Sequence, residues 1–124
     1  MTRRILIIDD EDDLREVAQA ALETVAGWQV LTAASGPEGL ERARAEGPDA
    51  ILLDVMMPGA DGMTALERLR ADPGTAAIPV ILLTAKVRVA RHPPGAGAAG
   101  VILKPFDPLK LAGQVAEILG WSSK

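Results

Sequence analysis

The chain has 124 residues and a net charge of −4 at pH 7, and 48% of its residues are hydrophobic while 24% are charged. These values are typical of one globular domain with its own core. The acidic balance argues against sequence-independent nucleic-acid binding, and the lack of cysteine excludes disulfides, thiolate metal sites and cysteine nucleophiles. No apolar run approaches membrane-spanning length and no signal peptide is recognisable, so we expect a cytoplasmic protein without a membrane partner.

Strand and helix patterns alternate along the chain. Runs of β-branched and leucine side chains predict strands at 5–8, 28–33, 51–53, 79–83 and 101–103. The helix after the first strand should stop at Gly27 and place one apolar face inward, formed by Leu14, Val17, Ala18, Ala21, Leu22 and Val25. This alternation predicts an α/β fold with a parallel sheet and helices on both of its faces.

Capping signals define two further helices. Ser35 followed by Glu38 fits a capping box for a helix that ends at Gly47. Asp107 as the cap and Pro108 at the first helical position open the last helix. Between them, a third helix should stop before Pro73.

Residues 86–100 interrupt the alternation. Pro93 disfavours helix at His92, and the glycines that follow do not support one. The segment predicts at most about two helical turns and then a loop of small residues. We interpret His92 as an exposed loop residue rather than a ligand.

Polar residues follow several of the predicted strands. In a parallel sheet they meet at the carboxyl edge, where open α/β sheets bind ligands; they are Asp9, Asp10, Asp54, Thr84 and Lys104. Clustered carboxylates repel one another unless a cation offsets them, and oxygen ligands suit Mg²⁺. A carboxylate, a divalent metal, a lysine and a hydroxyl are together what phosphoryl transfer requires.

Each of these residues also has an ordinary explanation. The acidic run 9–13 could be a solvated helix start, Lys104 a surface charge and Thr84 a strand-end hydroxyl. Their shared position at the ends of strands favours a site over these separate explanations. The methionine side chains, including Met56, are interpreted as apolar fillers rather than metal ligands.

The sequence resembles a response regulator receiver domain, similar to the chemotaxis-type (CheY-like) single-domain regulators. The resemblance covers essentially the whole chain, so we expect a single receiver domain, 1–124, with no output domain. Four stretches carry it in the family's order, and they are IIDDEDD (7–13), DVMMPGADG (54–62), IPVILLTA (78–85) and LKPF (103–106).

The resemblance implies a doubly wound, flavodoxin-like sheet of five strands in the order 2-1-3-4-5, as chemotaxis-type regulators have. It implies that Asp54 is the phosphoacceptor, that Lys104 pairs with the phosphoryl group and that Thr84 turns towards it, with Ala85 leaving room in the phosphate pocket. It also implies a cis Lys104–Pro105 bond. The implied Mg²⁺ ligands are Asp10, Asp54 and the backbone carbonyl of Met56, with Asp9 acting through water.

The chain departs from the family pattern at two places, both in the region through which phosphorylation is expected to change partner binding. Val101 stands where the family usually has an aromatic residue three positions before the lysine, and it is small and stiff at χ1. The segment of the family's fourth helix is degenerate here and contains Pro93 and Pro94. We therefore expect an altered response on that face, such as an order–disorder change of residues 86–99.

Three functions remain to be compared. The leading one is a phosphoacceptor rather than a turnover enzyme, charged by a sensor histidine kinase or a histidine phosphotransfer protein and acting on an unknown protein target. A receiver-fold binding module that works without phosphorylation is the first alternative. The second, an aspartate-nucleophile phosphohydrolase, normally needs a D-x-D nucleophile and a cap domain, whereas this chain reads Asp9-Asp10-Glu11.

Overall fold

The computed structural model describes residues 2–56, 62–85 and 98–121. The elements within these ranges are β1 (Arg4–Ile8), α1 (Asp12–Ala21) continued by a π-helical turn (Leu22–Ala26), β2 (Gln29–Ala33), α2 (Gly36–Glu46), β3 (Ala50–Asp54), α3 (Gly62–Ala71), β4 (Val80–Thr84), β5 (Ala98–Leu103) and α4 (Pro108–Leu119). Among them, no helix combines the length and apolar character needed to cross a membrane. The predictions for the segment 86–100 fall largely on residues 86–97, which lie outside the described ranges; they include the degenerate helix and the exposed position of His92.

The strands form one parallel sheet in the order β2-β1-β3-β4-β5. This confirms the predicted doubly wound topology. Every residue of β3 and β4 is buried, as expected for strands covered on both faces. Because β1 lies between β2 and β3, the winding direction reverses beside β1, and the carboxyl edge there is where such sheets bind ligands.

Alternation along the strands divides the core into two layers. In β1, Ile5 and Ile7 pack with buried residues of α1 and α4, whereas Leu6 and Ile8 pack with buried residues of α2 and α3. Successive side chains of a strand point to opposite faces, so a continuous apolar run supplies both layers. The sheet is thereby held from both sides, and its carboxyl edge is left to polar residues.

The predicted helix caps are confirmed. The Ser35 hydroxyl accepts a hydrogen bond from the Glu38 N–H at 3.3 Å, and the Asp107 carboxylate accepts one from the Leu109 N–H at 2.9 Å. The first helical run ends at Gly27, whose φ of 71° is left-handed, where a residue without a Cβ is favoured. Each of these signals involves residues that are close together in sequence.

The predicted inward face of the first helix is partly wrong. Ala18 and Leu22 are fully buried, but Val17 and Val25 are 47% and 50% exposed. The sheet and α4 cover a narrower stripe of the helix than its apolar residues form. An apolar residue at helical spacing is therefore not always a core residue, and Val17 is considered again below.

The predicted loop of small residues before the fifth strand is also wrong in its last part. Residues 98–100 belong to β5, where Ala98 pairs with Val80 and Gly100 pairs with Ile81. A Cβ on Gly100 would lie 2.7 Å from Cγ2 of Ile118, so α4 packs closely against the strand at that point. The small side chains mark a close helix–strand contact rather than a loop.

Gly62 brings the start of α3 into contact with the end of β3. A Cβ at this position would lie 2.2 Å from the carbonyl oxygen of Asp54 and 2.4 Å from Cα of Val55. Both atoms belong to the backbone, so the clash could be relieved only by moving a strand or a helix. The position of α3 therefore depends on a residue without a side chain here.

We expect Gly62→Ala to lower the free energy of unfolding by about 2 kcal/mol, because the new methyl group overpacks a rigid contact. Gly113→Ala is the matched control, since a Cβ there would meet nothing within 4 Å. In the middle of α4 it should raise stability by about 0.5–1 kcal/mol through helix propensity. Urea denaturation of both variants tests this, and equal effects would contradict it.

Candidate functional site

The carboxyl edge of the sheet brings four of the predicted site residues together at the ends of adjacent strands. Asp9 follows β1, Asp54 ends β3, Thr84 ends β4 and Lys104 follows β5. Backbone hydrogen bonds extend the ladders to this edge, from the Asp9 N–H to the Ala33 carbonyl at 3.1 Å and from the Lys104 N–H to the Thr84 carbonyl at 2.8 Å. The sheet thus fixes the backbone positions of these residues.

The ammonium group of Lys104 joins the acidic side chains of the site. Its Nζ donates to Oδ2 of Asp9 at 3.0 Å and lies 3.4 Å from Oδ2 of Asp54 and 3.7 Å from Oε1 of Glu11. Asp9 and Asp54 are almost completely buried, at 0% and 1% exposure. Buried carboxylates of this kind are tolerated only when paired and hydrogen-bonded, and Lys104 supplies that pairing.

The Asp54 carboxylate is held in a defined orientation. Its Oδ1 accepts a hydrogen bond from the Met56 N–H at 2.9 Å, while Oδ2 faces Lys104. Burial raises the pKa of Asp54, an effect that the Met56 N–H and the Lys104 charge oppose and that the charge of Asp9 reinforces. Compared with a carboxylate in water, the ionised form of Asp54 is thus less favoured, and a cation bound nearby would favour it again.

Burial lowers the pKa of Lys104, but its hydrogen bond to Asp9 and the charges of Asp9 and Asp54 outweigh burial, so the net shift is upward. The ammonium form is therefore the one that the site selects. A fixed positive charge beside Asp54 is what a transferring phosphoryl group needs.

The turn between β1 and α1 is ordered by two residues that sequence reasoning did not single out. Glu11 donates its N–H to Oδ1 of Asp9 at 2.9 Å, and the Arg15 guanidinium donates to the Asp9 carbonyl at 2.6 Å. Arg15 also pairs with Asp12. An arginine close after an acidic strand end indicates that it could pair with one of these acids. The charge pattern alone does not say with which one.

The structure separates the neighbours Asp9 and Asp10. Asp10 is exposed, and within the described ranges Asp9, Glu11 and Asp54 form the group of three carboxylates whose oxygens lie within 4.8 Å of one another. Oxygen donors of this kind fit a hard cation such as Mg²⁺, so these side chains could hold a metal ion. The predicted ligand roles of Asp10 and of the Met56 carbonyl stay predictions.

The remaining predicted residues lie where the strand ends place them. Thr84 is fully buried, Ala85 beside it is exposed, and the Lys104–Pro105 bond is cis as implied by the resemblance. Val101, in β5, is half-buried against the layer of core that includes α2 and α3. The roles expected for Thr84 and Ala85 towards a phosphoryl group stay predictions.

Comparison with known proteins agrees with this fold. The family model of the response regulator receiver domain matches residues 5–116. The chain is 40% identical over 120 residues to the response regulator PleD of Caulobacter vibrioides, covering 95% of this chain and 26% of PleD. It is 37% identical over 121 residues to the alkaline phosphatase synthesis transcriptional regulatory protein PhoP of Bacillus subtilis, covering 96% of this chain and 49% of PhoP.

Among solved structures, the chemotaxis protein CheY4 of Vibrio cholerae superposes with a TM-score of 0.86 at 28% identity, covering 95% of this chain and 99% of CheY4. The chain therefore belongs to the response regulator receiver domain family, the receiver component of two-component signalling. It spans about half or less of the length of the curated relatives described here.

Charge pairing at Lys104 predicts opposite effects for two substitutions. Lys104→Met should lower the free energy of unfolding by about 3 kcal/mol, because it leaves two buried carboxylates without a counter-charge. Asp54→Asn should raise it by roughly 1 kcal/mol, because it removes one of them.

Chemical denaturation in metal-free buffer measures both effects. Lys110→Met on the exposed side of α4 is the matched control and should change stability by less than about 0.5 kcal/mol. A Lys104→Met protein as stable as this control would show that the ammonium does not support the site.

Proposed function

We propose that this domain accepts a phosphoryl group onto Asp54 from the phosphohistidine of a sensor kinase or a histidine phosphotransfer protein. The observation that carries the proposal is the buried Asp54 carboxylate with the Lys104 ammonium 3.4 Å from its Oδ2. One oxygen is thus oriented by the backbone while the other faces a cation. Membership of the receiver family supports the assignment of the donor class.

The proposed step is a displacement at phosphorus. An oxygen of Asp54 forms the new P–O bond while the P–N bond to the donor imidazole breaks, and the electron pair stays with that imidazole. Lys104 then offsets charge on the phosphoryl oxygens, and the Thr84 hydroxyl, beside the small Ala85, donates a hydrogen bond to one of them. Water later hydrolyses the acyl phosphate and restores the carboxylate.

Mg²⁺, when bound, would offset negative charge on the transferring group. In this chain Asp9, Asp10 and Asp54, with the backbone carbonyl of Met56, are the groups expected to hold it. The domain would act in the cytoplasm as a stoichiometric acceptor rather than as a turnover enzyme, and phosphorylation would change its binding to a downstream protein. The identity of that target does not follow from the family match.

The donor needs a docking surface, and we propose for it an apolar cavity of about 260 Å³ that Pro105, the neighbour of Lys104 in sequence, helps to line. Its lining combines the first turns of α1 with the segment after Lys104, namely Asp13, Leu14, Val17, Pro105, Phe106 and Pro108. Val17 is 47% exposed although it is a large apolar residue. We propose that the donor protein docks here, because the cavity is apolar and its lining includes both the start of α1 and the segment that follows Lys104.

Mass spectrometry of the intact protein tests the acceptor. After incubation with Mg²⁺ and phosphoramidate, one phosphoryl group should be added to the wild type and none to Asp54→Asn. Omission of Mg²⁺ should reduce the labelled fraction by at least about tenfold.

Two outcomes favour the alternative functions. Folded, Mg²⁺-loaded protein that takes no label from phosphoramidate or from kinase donors would be a binding module that works without phosphorylation. Sustained turnover of a generic phosphate ester would instead indicate a phosphohydrolase, and we expect none.

The docking surface gives a separate prediction. Val17→Asp should slow phosphoryl transfer from a phosphorylated kinase or phosphotransfer protein by about tenfold, because it places a charge in an apolar contact. Labelling by phosphoramidate should be unchanged, since that donor needs no surface.

Val25→Asp is the matched control, as Val25 is equally exposed but lies outside the residues that line the cavity. Both rates can be followed by loss of label from the donor. Equal transfer rates for the two variants would place the docking surface elsewhere.

A further inference from the structure

Glu11 is a residue of the site that the family pattern of ligands does not include. Its carboxylate belongs to the group with Asp9 and Asp54 whose oxygens lie within 4.8 Å of one another. Its Oε1 lies 3.7 Å from Nζ of Lys104, although the side chain is 64% exposed. Glu11 thus forms the solvent-facing wall of a site whose other two carboxylates are buried.

The turn at the end of β1 brings Glu11 close to Asp9. Oδ1 of Asp9 accepts the N–H of Glu11 two residues later, and this hydrogen bond closes a tight turn at the end of β1. Arg15 holds the carbonyl of Asp9 on the same turn. On either side of Asp10 in this turn, Asp9 and Glu11 both lie close to Nζ of Lys104, at 3.0 Å and 3.7 Å.

The negative charge of Asp9, Glu11 and Asp54 is not fully balanced by Lys104. Three carboxylates surround one ammonium, which leaves a formal excess of two negative charges. An exposed carboxylate at the mouth costs little to desolvate and adds to the attraction felt by an arriving ion. A divalent cation matches both the sign and the size of this excess.

We propose that Glu11 contributes directly to the affinity of this site for Mg²⁺, in addition to the ligands of the family pattern. The inference rests on the proposed function, because it concerns the metal that the phosphoacceptor would use. Glu11 acts through its carboxylate charge within the acidic group.

Calorimetric titration of the full chain with MgCl₂ tests the proposal without any phosphoryl donor. Glu11→Gln keeps the shape of the side chain and its backbone N–H, and it should raise the Mg²⁺ dissociation constant roughly tenfold. Glu11→Asp, which keeps the charge on a shorter stem, should recover part of the loss. Glu16→Gln makes the same charge change on the exposed face of α1 and should leave the dissociation constant within about twofold of wild type.

Each result is decisive. Equal affinities for wild type and Glu11→Gln would overturn the role of Glu11 while leaving the phosphoacceptor intact. Equal losses in Glu11→Gln and Glu16→Gln would also overturn it, because the effect would then be one of net charge. A wild-type protein that binds no Mg²⁺ yet takes label on Asp54 would remove the metal and this inference together. Circular dichroism confirms that every variant is folded.

Discussion

The pairing of Lys104 with the buried carboxylates is the constraint on which the rest of the site depends. Asp9 and Asp54 come from adjacent strands and are almost without solvent. Two buried carboxylates this close would oppose folding through desolvation and repulsion. The ammonium, 3.0 Å from one and 3.4 Å from the other, makes that arrangement tolerable. It also leaves the arrangement under-neutralised, and an under-neutralised acidic group is what draws in a further cation.

The fold serves this edge mainly by fixing backbone positions. The parallel ladders place the ends of β1, β3, β4 and β5 side by side, and close contacts without a Cβ set the helices against them. Gly62 does so at the end of β3, and Gly39 does so against the side chain of Ile8 at the end of β1. Both contacts adjoin an acidic residue of the site. The packing of α2 and α3 is therefore part of what keeps the carboxylates in place.

Much of the fold and part of the site could be predicted from sequence because the signals are local. Ser35 and Asp107 cap their helices through atoms two or three residues away, and the buried strands follow from uninterrupted apolar runs. Val17 and Ala98 could not be assigned in this way. Whether an apolar helix residue is buried, or a small residue joins a strand, depends on how closely another helix packs against it. A local sequence pattern does not report that packing distance.

The acidic run shows the same limit at the level of single residues. The sequence has five consecutive acidic residues at positions 9–13, and composition alone does not distinguish which of them would bind a metal. In the structure the Glu11 N–H donates to Asp9, and it is Glu11, not Asp10, that forms a group of three carboxylates with Asp9 and Asp54. The Asp9 side chain, which accepts a hydrogen bond within the turn, thus lies close to Glu11. In this chain the residue so selected is a glutamate, whose longer stem reaches Lys104 from the solvent side. The charge of the site is consequently set by the geometry of the β1–α1 turn as much as by the number of aspartates in the motif.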